Sequence, residues 1–179
     1  MSTEIVETNP MRALRIGKVV VNMGVGASGD PLDHAQTIME QLTGQKPCQR
    51  FAKQTIRGFN IRKKEPIACM VTLRGEKAET FLSRALEAVG KKIKSRSFDK
   101  WGNFAFGIKE HIDIPGTRYD PVLGITGLDV MVTVERSGYH IDEKKHARGK
   151  IGSNQKVTPD EAMKYISKKF GIEVAVANE

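Results

Sequence analysis

The sequence predicts a single α+β domain: a largely antiparallel sheet, helices packed on one of its faces, and a long exposed basic loop. Three observations carry this. Apolar residues alternate in short β-branched or aromatic runs at 15–23, 67–73, 104–108 and 128–135, as half-buried strands require. In three longer stretches they recur at helical spacing. The order β-α-β-loop-β-α-β-β-α lacks the strict strand-helix alternation of a parallel sheet. At 179 residues, 39% hydrophobic and 28% charged, the chain can build one sizeable core. We therefore read 1–179 as one domain with a flexible start (1–11), an exposed basic loop (48–66) and a basic arm (138–158) before the last helix.

The first strand, 15–23, carries Ile16, Val19, Val21 and Met23. A glycine-rich turn follows, and Asp30-Pro31 opens a helix, with Asp30 placed to cap free amides and Asp33 in the first turn. Leu32, Ala35, Ile38, Met39 and Leu42 share a face of that helix, and Gly44 ends it. A basic stretch then separates two strands. Residues 76–93 read as a second helix with Ala78, Phe81, Leu82, Ala85, Leu86, Val89 and Ile93 inward, and with Lys91, Lys92 and Lys94 suiting its C-terminal dipole. A turn-rich stretch, 97–103, precedes the strand 104–108, whose Phe104 and Phe106 read as core. A Pro/Gly-punctuated loop at 115–127 leads to the strand 128–135. Thr158-Pro159-Asp160-Glu161 is a capping box opening a helix with Met163, Ile166 and Phe170 on one face, stopped by Gly171.

Charge is segmental. The formal net charge is +8. No acid occurs between Glu40 and Glu65, where Lys46, Arg50, Lys53, Arg57, Arg62, Lys63 and Lys64 give +7. Residues 144–159 again lack acids and hold Lys144, Lys145, Arg148, Lys150 and Lys156, a further +5. Together these windows hold +12, so the remainder is −4. That is the pattern of a surface built for an anionic partner. Within the first window Phe51, Gly58, Phe59 and Asn60 interleave with the cations, offering a ring for stacking and an amide for base edges beside phosphate contacts. The second window lacks aromatics and suits a backbone-tracking arm or a plain solvated loop.

Other chemistry finds little support. Gly24-Val25-Gly26-Ala27-Ser28-Gly29 is a literal GxGxxG between strand and helix, but a dinucleotide site wants an acid at the end of the second strand, and 46–52 has none. We read it as a tight turn that lets backbone approach a neighbour closely, RNA being one such neighbour. His111 and Asp113 would share a face of an extended segment, yet no third ligand stands at metal spacing. His34, His140 and His146 are isolated. Cys48 and Cys69 form no CxxC pair and read as reduced, buried thiols, able to bridge only if their strands are neighbours. No apolar run approaches the roughly 18 residues of a membrane span. The acidic start resembles no secretory signal, so a cytoplasmic protein is expected, with no cofactor, no metal and no small-molecule substrate.

Several segments together resemble the large-subunit ribosomal protein five family, which binds 5S ribosomal RNA. They are Asn22-Met23-Gly24-Val25-Gly26, Gly44-Gln45-Lys46-Pro47, Ala52-Lys53 through Gly58-Phe59-Asn60-Ile61-Arg62, Val71-Thr72-Leu73-Arg74-Gly75, Ser97-Phe98-Asp99 with Gly102-Asn103, and Gly127-Leu128-Asp129-Val130, in family order. The resemblance implies a non-catalytic protein of the central protuberance that joins 5S RNA to the large ribosomal RNA among neighbouring ribosomal proteins. It implies 5S contacts at Asn22, Gln45, Thr72 and Arg74. It further implies that a mobile loop with Lys53, Arg57, Gly58, Phe59, Asn60, Arg62, Lys63 and Lys64 reaches transfer RNA in the peptidyl site. Lys144, Lys145, Arg148, Lys150 and Lys156 are further candidate RNA contacts. The chain lacks the N-terminal helical segment of bacterial members, and 138–172 is similar to archaeal and eukaryotic ones, so an archaeal-type member is expected. Two rival readings are a nucleotide-dependent enzyme using 24–29 and an RNA-binding regulator outside the ribosome.

Overall fold

The computed structural model describes residues 9–175, so most of the start expected to be flexible lies outside the described residues. Five strands, β1 (Leu14–Gly24), β2 (Cys48–Phe51), β3 (Pro66–Leu73), β5 (Phe104–Ile108) and β6 (Leu128–Arg136), form one sheet in the order β2-β3-β1-β6-β5. All its pairings are antiparallel. Helices α1 (Asp30–Thr43) and α2 (Gly75–Ala88) cover one face, α1 against β3 and α2 against β1. A second sheet of two short parallel strands joins β4 (Lys92–Lys94) to β7 (Glu173–Ala175). A short helix, α3 (His140–Glu143), and α4 (Pro159–Phe170) complete the domain. The predicted α+β class holds.

The core follows from strand parity. On β1, Val19, Val21 and Met23 are fully buried while Lys18, Val20 and Asn22 point to the other face, half exposed. Cys69, Val71 and Leu73 of β3 and Val130, Val132 and Val134 of β6 face the same interior. The helices answer with Leu32, Ala35, Ile38, Met39 and Leu42, and with Ala78, Phe81, Leu82, Ala85 and Leu86. Full burial of a side chain such as Phe81 or Leu82 contributes about 1.5–3 kcal/mol. Phe104 is buried and Phe106 half-buried against the core, so this aromatic strand supplies packing.

Five expectations need correction. The second helix ends at Ala88, because Gly90 and Lys91 both turn left-handed (φ 71° and 55°) and Lys91 N–H donates to the Leu86 carbonyl at 2.9 Å. Ile93 reaches the core from β4, and Lys92 and Lys94 are exposed strand residues, not helix-end cations. Helical spacing carries past the turn by coincidence. Asp30 makes no cap: Gly29 is the N-cap residue, without a side-chain cap bond, and Asp30 is already helical. Cys48 is exposed while Cys69 is buried. Their strands are neighbours, but Cys48 sits opposite Met70, one residue out of phase with Cys69, so the two thiols point to opposite faces. Finally, His111 and Asp113 share a 3-10 turn, and buried His111 uses Nδ1 to accept from Thr126 N–H at 3.3 Å. No cluster of metal-ligating side chains occurs among the described residues.

The C-terminal capping box forms as expected, and Glu161 does more than cap. Its Oε2 accepts from Thr158 N–H at 3.2 Å, while Oε1 lies 3.0 Å from the Nη2 of Arg136, whose side chain is only 3% exposed. Arg136 Nη1 also donates to the Asn154 carbonyl at 3.1 Å. This ties α4 to the end of β6. Glu161→Ala is expected to destabilise the fold by about 3 kcal/mol in urea unfolding, because it strands a buried guanidinium as well as the cap. Arg136→Met, which removes that charge, should cost less than half as much.

Candidate nucleic-acid interface

The sheet face opposite α1 and α2 is open. Alternation along the strands places Lys18, Val20 and Asn22 of β1, Ala68, Met70 and Thr72 of β3, and Asp129, Met131 and Thr133 of β6 on it. The pairings set Asn22 opposite Met70 and Asp129, and Val20 opposite Thr72 and Met131, so Asn22 and Thr72 are diagonal neighbours. Arg74 follows at the N-cap position of α2, exposed. Gln45 lies upstream of β2, and the pairing of Cys48 with Met70 sends that connection toward the Thr72 end of β3. The side chains of Asn22, Gln45 and Thr72 make no hydrogen bond to any described residue, although all three are half-buried. Lys18 is engaged with Glu143 of α3 at 3.2 Å. Hydrogen bonding and charge from Lys18, with Arg74 adding to them, hold the Glu143 carboxyl below its ordinary range.

The basic loop folds back on itself as a hairpin. β2 and β3 take 48–51 and Pro66, and all four β2 residues are exposed. Between them Ile56 and Ile61 exchange backbone bonds of 2.9 and 3.2 Å around a turn whose Asn60 is left-handed. Lower down, Lys64 N–H donates to the Ala52 carbonyl at 2.9 Å and Lys63 N–H to Thr55 Oγ1 at 3.0 Å. The backbone bonds are largely spent within the loop itself. Lys53, Arg57, Arg62, Lys63 and Lys64 are exposed and take part in no ion pair among the described residues. Phe59 at the tip is 72% exposed, beside exposed Gly58 and Asn60. A hydrogen-bonded hairpin thus presents free cations and two exposed rings, Phe59 at its tip and Phe51 at its base, a form suited to phosphate and base together.

The glycine turn and this hairpin are joined through a residue that sequence reasoning passes over. Glu65 accepts from Ser28 Oγ at 2.7 Å and from Arg62 N–H at 2.8 Å, and the Ile67 carbonyl accepts from Val25 and Gly26 N–H. These hydrogen bonds hold the Glu65 carboxyl below its ordinary value of 4.5. Within the chain itself the glycines answer to backbone conformation. A Cβ at Gly24, Gly26 or Gly29 would meet nothing within 4 Å, so no neighbour presses on the turn; Gly26 and Gly29 are required by φ values of 77° and 89°.

The second basic window packs against the domain. Lys144, Lys145, Lys150 and Lys156 are exposed. Arg148 is tied back to Asp142, donating to its carbonyl and lying 3.3 Å from its carboxylate. Lys156 sits over the Trp101 ring at 4.6 Å.

Comparison with known proteins gives the family. A family model for ribosomal protein L5 matches residues 9–62, and the model for the C-terminus of the same ribosomal family matches 66–174. The large ribosomal subunit protein uL5 of Aeropyrum pernix is 53% identical over 165 residues, 92% of this chain and 86% of that protein. That of Methanococcus maripaludis is 51% identical over 174 residues, 96% of each chain. That of Nitrosopumilus maritimus is 46% identical over 167 residues, 93% of this chain and 96% of that protein. These relatives are named as constituents of the ribosome's large subunit and none as an enzyme, so the nucleotide-dependent reading of the glycine turn falls. The chain belongs to the ribosomal L5 (uL5) family, and the relatives named here are archaeal.

The Glu65 clamp has a defined pH response. A carboxyl whose folded pKa lies below the unfolded value of 4.5 stabilises above that value and loses its contribution as pH falls through the folded one. Amide exchange at Arg62 and Lys64 should therefore be flat from pH 8 to about 5, after correction for intrinsic rate, and accelerate below about pH 4.5. Glu65→Gln should lose most of that pH response; an unchanged response in the variant would assign it to another group.

Proposed function

We propose that this protein is a structural constituent of the large ribosomal subunit that grips 5S ribosomal RNA with its open sheet face and helps attach it to the large ribosomal RNA. The observation that carries this is the set of Asn22, Thr72 and Gln45, half-buried polar side chains whose hydrogen-bonding capacity the fold leaves unspent. Such groups are costly to leave unpaired once a partner covers them, so the partner must be polar and shaped to them. The wide, shallow minor groove of an RNA helix displays ribose hydroxyls and base edges at the depth short side chains can reach. Val20, Met70 and Met131 give the same face an apolar floor, and Arg74 supplies a phosphate or base contact at its end.

The basic hairpin serves a different anion. Its five free cations and Phe59 stand away from the sheet face, and we assign them to transfer RNA in the peptidyl site. Lys144, Lys145, Arg148, Lys150 and Lys156 add a further RNA contact, and neighbouring proteins of the central protuberance complete the setting. The relatives named as large-subunit proteins favour this ribosomal role over a regulator working elsewhere.

Thr72→Ala with Arg74→Ala should weaken 5S RNA binding by about tenfold or more in a filter or gel-shift titration, with the circular dichroism spectrum preserved. Lys53, Arg57 and Lys64 all changed to Ala should leave 5S affinity within about twofold and lower transfer-RNA retention on assembled ribosomes. Unchanged 5S affinity in the first variant would overturn the sheet-face assignment, and a large 5S loss in the second would show that the surface is divided differently. Cofractionation of the intact protein with large subunits separates the ribosomal role from an independent regulator.

A further inference from the structure

Trp101 is the chain's single tryptophan, and it is 44% exposed. Its backbone has little freedom. The Asp99 carboxylate accepts from Trp101 N–H at 2.8 Å and from Asn103 N–H at 2.9 Å, and Asp99 N–H donates to the Asn103 carbonyl at 2.8 Å. Gly102 next to it has φ 75° and no room for a side chain, since a Cβ would lie 2.8 Å from Val157 Cγ1 and 3.0 Å from Ala162 Cβ. The turn therefore holds the largest apolar side chain in the protein partly in water, in a fixed place. Two ammonium groups attend the ring, Lys156 at 4.6 Å and Lys100 at 5.4 Å from its centroid.

Beside the ring a cleft of about 400 Å³ opens between β6 and the 139–156 segment, with Thr133, Tyr139, Lys150 and Ile151 among its walls. The far wall is firm: the Tyr139 hydroxyl accepts from Val157 N–H at 3.0 Å and donates to the Gln155 carbonyl at 3.2 Å. The one acid in the lining, Asp142, is already engaged by Arg148. What is left over at the mouth is cationic and aromatic.

We propose that this cleft takes one unpaired nucleotide of RNA, its base stacked on Trp101 and its flanking phosphates held by Lys100, Lys150 and Lys156. A base on an aromatic ring outweighs the exposed cation–π contact it would displace, and the displaced ammonium then has a phosphate to meet. A paired base, stacked on both sides within a duplex, cannot enter, so the cleft selects single-stranded RNA. This rests on reading the chain as RNA-binding and gives the 144–156 segment a defined ligand, at the Thr133 edge of the open face and apart from Asn22, Gln45 and Thr72.

The lone tryptophan makes the test direct. The full-length protein is titrated with a mixed-sequence unpaired nonaribonucleotide and with a duplex of the same length, following tryptophan fluorescence. Saturable quenching by the unpaired strand is expected, with the duplex at least about tenfold weaker. Lys150→Ala with Lys156→Ala should weaken binding about tenfold and reduce the log–log salt slope by about 1.4, as two phosphate contacts require. Trp101→Leu, followed by anisotropy of a labelled strand, should lose about tenfold and Trp101→Phe should recover most of it, with thermal melting confirming that each variant folds. Absence of quenching, equal quenching by duplex, or full affinity in Trp101→Leu would overturn the proposal. The Thr72→Ala, Arg74→Ala variant separates the two sites. Retained quenching with lost 5S binding supports both, whereas lost quenching would assign the signal to the sheet face and overturn the cleft.

Discussion

Everything in this molecule depends on the register of β1 between β3 and β6. A strand's side chains alternate strictly, so the pairing that buries Val19, Val21 and Met23 also fixes Val20 and Asn22 on the opposite face. A slip of one residue would push Lys18 and Asn22 into the core and turn three fully buried side chains to water. The core and the candidate RNA face are two readings of one alternation. The near end of β1 shows how firmly it is set: Ile16 and Val19, three residues apart, both point inward because a bulge between Ile16 and Lys18 absorbs one residue. Gly17 sits there, where a Cβ would come within 2.5 Å of the Glu135 side chain.

Charge and hydrogen bonding are distributed differently over this frame. Two acid-free stretches, the hairpin beyond β2 and the segment after β6, concentrate exposed cations that take part in no ion pair among the described residues. The centre of the open face carries amides, hydroxyls and thioethers, with Lys18 committed to Glu143 and a single carboxylate, Asp129, opposite Asn22. Long-range attraction is thus peripheral and short-range recognition central. Charges at the rim draw in and orient a polyanion, and neutral groups within the sheet discriminate by fit. Net charge alone says nothing of the second part.

Much of this is legible in the sequence, for identifiable reasons. Strand limits are readable because both sheet-lining sets obey a period of two, and the capping box and acid-free windows are local patterns. Sequence reading fails where tertiary pairing overrides a local pattern. Ile93 continues the helical period but belongs to β4, whose partner β7 lies some eighty residues away in sequence. Cys48 reads as core until its register with Met70 is known. His111 reads as available until the Thr126 amide claims it. Glu65 gives no signal, since its importance comes from Ser28, 37 residues distant. Of the candidate site, the residue types are readable from the family resemblance. That Asn22, Gln45 and Thr72 have no partner within the fold can be learned only from the folded chain.

The opposite phasing of the two cysteines also makes the protein chemically lopsided. Burial pushes the Cys69 thiol up to about 11, so it stays protonated and shielded, while Cys48 stands in the open on the sheet edge beside Met70. A thiol-directed fluorophore or spin label should therefore attach at one position without any engineered substitution. That position adjoins the polar sheet face on which Asn22 lies. Natural chemistry has supplied the molecule with a reporter at the edge of the surface whose occupancy one would most want to follow.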